Sequence, residues 1–174
     1  HALRPLVVGC DPLDTEVLWH RMYHMTRDYG RKGSVIAAIS AVDIALWDIV
    51  GKCHGQPIHK LLGGAFRSRV QPYATGFYRI SGQGEAARLA DEALRHFDAG
   101  FALMKVKLGY GVEDDIACMQ EIGKAIQGKP IRLMIDTNHA YGRAEALRLG
   151  RALAGFGSRW CEAPVAPEDL QGYL

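Results

Sequence analysis

Three short strings in this 174-residue sequence carry side chains that can do chemistry together: Lys105-Val106-Lys107, Asp136-Thr137-Asn138 and Cys161-Glu162-Ala163-Pro164. Asp136 and Glu162 offer hard oxygen donors for a cation such as Mg²⁺, which prefers oxygen ligands in an octahedron. In a strand, side chains alternate, so Lys105 and Lys107 share one face, and so do Asp136 and Asn138. Two ammoniums beside one another and beside a cation disfavour each other's charge, so both lysine pKa values are expected to fall. A lysine tuned down in this way is a competent general base near neutral pH. Spacing leaves a second reading open, in which Asp136 and Glu162 cap helices or simply pair with the lysines.

The elements needed to position these residues can be read from periodicity. Strands are predicted over 69–77, 102–108, 131–136 and 159–163, alternating with helices over 84–99, 113–127 and 143–154. Each chemical string then falls at the C-terminal end of a strand, and Lys107, Asp136 and Glu162 are each about one βα unit of roughly 30 residues apart. The order βαβαβαβ calls for parallel strands with right-handed crossovers, and parallel α/β barrels take their functional side chains from these strand ends. Before this repeat, 14–27 and 35–53 read as helices, the second apolar nearly all round and therefore expected to be buried. One more turn, 58–62, precedes Gly63-Gly64. The fold class is α/β, about four βα units of a partial barrel preceded by helices. A boundary near 64–68 divides the chain into 1–64 and 65–174.

Composition narrows the function classes. Hydrophobic residues are 48% and charged residues 23%, as in a globular domain, and the net charge of +2 carries no footprint for nucleic acid or an anionic membrane. Four cysteines at 10, 53, 118 and 161 lack CxxC spacing, so reduced thiols in a cytoplasmic protein are expected. The most apolar stretch, 35–50, is interrupted by Asp43 and Asp48 and falls short of the roughly 20 residues of a membrane helix. The chain is too short for a complete eight-fold barrel of about 250 residues. It begins at His1, not Met, so its start need not be natural.

Other candidates read blandly. His20 and His24 lie four apart with no evident third ligand, which suits a solvated helix face. Cys161 should point away from Glu162 and pack under the helices. Gly109-Tyr110-Gly111 is followed by no G-K-[ST] and reads as a tight strand-to-helix turn.

The segment Ala38-Ile39-Ser40-Ala41-Val42-Asp43-Ile44-Ala45-Leu46-Trp47-Asp48, with Gly51-Lys52, Pro57-Ile58 and Leu61-Leu62-Gly63, resembles the signature of the mandelate racemase and muconate lactonizing enzyme family, within the enolase superfamily. The K-x-K, D-x-N and E-x-P strings follow in that family's order. The resemblance implies an α+β capping domain joined to a modified TIM-type (β/α) barrel, with Mg²⁺ at the strand ends. The implied reaction removes the proton α to a substrate carboxylate and stabilises the enediolate on the metal. Lys107 then resembles the base. Lys105 resembles its partner, contacting the substrate carboxylate. Asp136 and Glu162 resemble metal ligands, and Asn138 a residue lining the substrate site. His139 is an additional substrate-binding candidate from its place in the loop. The substrate is expected to be a small sugar acid or hydroxy acid. Similarity around 73–78 and 136–141 favours acid-sugar dehydration, with racemisation, epimerisation or cycloisomerisation as alternatives. Ala163 departs from a family in which a second acid often follows the ligand glutamate. The third metal ligand, the opposing acid or base and the capping sheet are expected outside these residues. The chain therefore reads as the middle of a longer, homo-oligomeric enzyme, or else as a fragment without activity.

Overall fold

The computed structural model describes residues 2–81, 84–158 and 160–174. The chain divides into two units, His1–Val70 and Gln71–Leu174.

The first unit is helical: α1 (Arg4–Val7), α2 (Thr15–Thr26), α3 (Ser34–His54) and α4 (Ile58–Leu61). α2 packs on α3, with Leu18, Met22 and Ile39 fully buried. Gly55 closes α3 in the left-handed region at φ 59°, its N–H reaching back to Gly51 and Lys52, a conformation glycine adopts without a Cβ penalty. This late stop makes α3 21 residues long, enough by length and composition alone to cross a membrane, which corrects the shorter span expected from sequence. The expected burial is also only partly met. Ile39, Leu46 and Gly51 are buried, whereas Ile44 and Ile49 are exposed, because α2 covers one stripe of the helix.

The second unit is a four-stranded parallel sheet, in the order β1 (Ala74–Thr75), β2 (Leu103–Lys107), β3 (Arg132–Asp136) and β4 (Cys161–Glu162). Between the strands run α5 (Ala86–Asp98), α6 (Val112–Ala125) and α7 (Arg143–Leu153). Met104 and Val106 of the second strand, Leu108 just after it, and Leu133 and Ile135 of the third pack with Leu89, Ala93, Met119, Ile122 and Leu149 in one core. A fully buried residue such as Ile122 contributes about 1.5–3 kcal/mol. The acidic first turn of α6, Glu113-Asp114-Asp115, complements the helix dipole.

The two outer strands are shorter than their sequence suggests. β1 has one hydrogen-bonded neighbour, and Pro72 brings no N–H to the ladder. Phe77 ends its extended run at φ 61°. β4 is stopped by Ala163 at φ 49°. Arg159, the expected first residue of that strand, lies outside the described residues.

Candidate active site at the strand ends

Register builds the site. Lys107 pairs with Asp136 across β2 and β3, Asp136 pairs with Glu162 across β3 and β4, and Thr75 pairs with Lys105 across β1 and β2. Hydrogen bonding continues past the strand ends. The Leu108 N–H donates to the Asp136 carbonyl at 2.8 Å, the Thr137 N–H to the Glu162 carbonyl at 3.1 Å, and the His139 N–H to the Ala163 carbonyl at 2.8 Å. The Thr137 hydroxyl donates to that same Ala163 carbonyl at 2.7 Å. Because alternate residues enter the helix-covered core, Lys105, Lys107 and Asp136 share the opposite face.

Four charged groups meet in this layer. The Lys107 Nζ donates to Asp136 Oδ2 at 2.5 Å, and the Lys105 Nζ donates to Glu162 Oε2 at 2.7 Å while standing 3.4 Å from Asp136 Oδ2. Asp136 is 2% exposed, Lys105 and Lys107 are largely covered, and Glu162 is open on one side. Burial by itself raises the Asp136 pKa. The Lys107 hydrogen bond, the Asn138 N–H at 3.0 Å and the two ammonium charges outweigh it and hold the carboxyl below its usual range. The Glu162 hydrogen bond raises Lys105 above its usual value and outweighs the burial that lowers it. Among the protein's own groups, pairing with Glu162 thus dominates Lys105, and the strand-end charges pair with one another, as the second reading left open by spacing has it.

Backbone geometry keeps the charges at the rim. Asn138, His139 and Ala163 adopt φ of 47°, 62° and 49°, unusual for residues other than glycine, so the chain turns off the sheet directly after Asp136 and Glu162. The Asn138 Oδ1 reaches 3.4 Å from the Lys107 Nζ and so joins the layer. His139 is tied instead to the following loop, its Nδ1 3.0 Å from the Val165 carbonyl. Tyr73, absent from the sequence-derived site, sets its ring 5.7 Å from the Lys105 Nζ. Period-two alternation with Thr75, the register partner of Lys105, is the signal that could have found it. Cys161 is exposed, not packed as expected; among the described residues only the short 3-10 turn Leu170–Tyr173 follows β4.

Asp136 and Glu162 fit a hard divalent cation by donor chemistry. They are adjacent oxygen donors, one is held ionised, and the other has an open side. They supply part of an octahedron; among the described residues no group of three His, Cys, Asp or Glu side chains could hold a metal ion. The exposed His20 and His24, 3.2 Å apart on α2, belong to no such group either.

Comparison with known proteins identifies the setting. A family described as mandelate racemase / muconate lactonizing enzyme, N-terminal domain, matches residues 1–63, and one described as enolase C-terminal domain-like matches 88–174. The chain is 43% identical over 96% of its length to D-galactarolactone cycloisomerase of Agrobacterium fabrum. It is 40% identical over 97% to arabinonate dehydratase of Saccharolobus solfataricus. It spans 44% of each of those two proteins, just under half their length. The crystal structure of the 3,6-anhydro-D-galactonate cycloisomerase from Zobellia galactanivorans superimposes with a TM-score of 0.90 at 44% identity, covering 99% of this chain and 47% of that one. A racemase from Streptomyces coelicolor with bound magnesium superimposes at 0.86 and 35% identity, covering 98% of this chain and 50% of that one. The partial parallel α/β barrel and the helical segment before it thus belong to a member of the mandelate racemase / muconate lactonizing enzyme family of the enolase superfamily.

Proposed function

We propose that this chain carries the base and two metal ligands of a Mg²⁺-dependent enzyme that removes the proton α to the carboxylate of an acid sugar. The observation that carries the reading is the single layer in which Lys107 contacts Asp136 and Lys105 contacts Glu162. Asp136 and Glu162 would hold the cation, as the magnesium-bound racemase structure supports. Bound Mg²⁺ supplies Lewis-acid charge for an enediolate. Lys107 takes the proton: the substrate Cα–H bond breaks, an N–H bond forms at Nζ, and the electron pair passes into the carboxylate. Lys105 holds the substrate carboxylate, with Asn138 lining the same face. Dehydration, in which the Cβ–O bond breaks and the β-hydroxyl leaves as water with a proton supplied by a general acid, is the outcome we favour, supported by the arabinonate dehydratase relative. Cycloisomerisation, which makes or opens a ring with no net loss of atoms, is the second reading, supported by the 43% and 44% identities to two cycloisomerases.

The test is α-proton exchange. Full-length protein with added Mg²⁺ in D₂O is expected to wash deuterium into the α-position of at least one acid sugar in a panel of aldonates, aldarates and their lactones. Absence of exchange across the panel would overturn the reading. Product identification then separates loss of water from isomerisation.

A further inference from the structure

Asp115, fully buried in the first turn of α6, has no part in the chemistry described above. Its Oδ2 accepts the Gly109 N–H at 2.7 Å and the Tyr141 hydroxyl at 2.5 Å, and its Oδ1 accepts the Tyr110 N–H at 3.4 Å. The Tyr141 oxygen in turn accepts the Gly111 N–H at 3.0 Å. Arg79, its side chain 1% exposed, lies 3.6 Å from Asp115 and 2.9 Å from Asp114, with its guanidinium 5.1 Å over the Tyr110 ring. These partners come from three different connections, those leaving β1, β2 and β3 at the C-terminal face. Asp115 is the point where the three are tied together. A carboxylate this deep costs desolvation, and its pKa is raised by burial despite the donors around it.

The geometry at Gly109 links this knot to the active-site layer. Gly109 follows Lys107 by two residues and sits at φ 104°, pressed on the next loop so closely that a Cβ there would lie 2.6 Å from the Thr137 carbonyl oxygen. Leu108, between them, donates its N–H to the Asp136 carbonyl. The turn held by Asp115 is therefore continuous with the backbone that aims Lys107 at Asp136. We propose that Asp115 is a positioning residue for Lys107, fixing the β2–α6 turn through Gly109, Tyr110 and Tyr141 so that the base keeps its place against the metal-ligand carboxylate. The proposal rests on the reading of Lys107 as the base.

The experiment compares full-length wild type, Asp115→Asn and Tyr141→Phe, the last removing one hydroxyl with little risk to folding. Amide hydrogen exchange at Gly109 and Tyr110 should rise about tenfold or more in Asp115→Asn, the equivalent of one hydrogen bond to a charged acceptor, while Ile135 in the core stays protected. Acylation of the Lys107 amine, mapped by mass spectrometry, should change relative to Lys105. The α-proton exchange rate at saturating acid sugar should fall on the order of 10–100-fold with KM little changed, as expected for a misplaced reacting group. Tyr141→Phe should shift all three in the same direction by less. Leu149→Ala, which weakens the core elsewhere, should lower Tm without changing the ratio of the two lysine labelling rates. Unchanged amide protection and lysine labelling in Asp115→Asn would overturn the proposal whether or not the protein exchanges α-protons. So would a rate loss that Leu149→Ala reproduces at equal loss of Tm. A wild type without exchange activity but with the predicted amide and labelling changes would instead sink the Lys107 base assignment, leaving Asp115 as the residue that holds its turn.

Discussion

Replacing Lys107 with alanine separates the catalytic role proposed for it from its structural one. The structural loss is a single charge-assisted hydrogen bond, Nζ to Asp136 Oδ2 at 2.5 Å, with Lys107 14% and Asp136 2% exposed. Such a bond is worth about 1.5–3 kcal/mol. Asp136 keeps the Asn138 N–H at 3.0 Å and Lys105 at 3.4 Å, which places the cost at the low end, about 1.5–2 kcal/mol, well inside the 5–15 kcal/mol of an ordinary domain. Loss of a general base costs about 10²–10⁴ in rate, or roughly 3–5 kcal/mol at 1.36 kcal/mol per tenfold. The variant should therefore remain folded, melting a few degrees lower, and lose the α-proton exchange. Proton NMR in D₂O follows the exchange, and thermal unfolding of the same sample follows the fold. Lys105→Ala should show a different pattern, with KM for the acid sugar rising, because Lys105 is placed to hold a carboxylate. Exchange in Lys107→Ala within a few-fold of wild type would refute the assignment. Exchange lost only in Lys105→Ala would reverse the two roles.

Glu85 accepts the Ile80 and Ser81 N–H groups at 2.7 and 2.6 Å and the Arg88 guanidinium at 2.6 Å. Burial opposes its ionisation, and these hydrogen bonds overcome it, taking its pKa down from 4.5 to about 2. A depressed folded-state value gives stability that is complete above pH 4.5 and lost as pH falls toward 2. Glu85→Gln should flatten stability against pH in that window, and an acid-unfolding curve unchanged by the substitution would count against it. Gly109→Ala puts a Cβ 2.6 Å from the Thr137 carbonyl oxygen at φ 104°, so a loss of about 1–3 kcal/mol or more is expected in urea unfolding, and an unchanged midpoint would contradict the close approach. Ile122→Ala empties a fully buried site and should cost about 2–5 kcal/mol by the same measurement, with a loss under about 1 kcal/mol placing Ile122 outside the core.

Side-chain alternation and βα spacing were sufficient to place Lys105, Lys107, Asp136 and Glu162 in one layer, because parallel strands joined by one helix bring their C-terminal ends to one height. The register that pairs Lys107 with Asp136 and Asp136 with Glu162 is the physical form of that inference. Interactions set by tertiary approach were not legible. The rise in Lys105 comes from Glu162, a residue 57 positions away, a contact that alternation within one strand does not reveal. In sequence Asp115 is one of three successive acidic residues, and nothing local reveals that Tyr141, 26 residues on, ends against it. The outer strands shrank for a related reason: β propensity extends over 69–77, but ladder hydrogen bonds require a partner and an extended backbone, and Phe77 and Ala163 leave that conformation.

Two readings of the strand-end charges, pairing with one another and binding a cation, turn out to be compatible. Lys105 and Lys107 carry two positive charges, Asp136 and Glu162 two negative ones, so the layer sums to zero and each buried charge has a partner within 3.4 Å. Burying uncompensated charge would cost several kcal/mol per ion, and this pairing avoids it. A divalent cation on Asp136 and Glu162 would bring the sum to +2 in the same small volume, or to +1 once Lys107 is the neutral amine a base must be, in either case the sign required to hold a carboxylate substrate and the charge that develops beside it. In the proposed function, the lysines that pair with the carboxylates are thereby the groups that meet the substrate. A chain with overall charge of only +2 can thus present a strongly cationic site, because the attraction is generated locally at four residues and needs no basic surface.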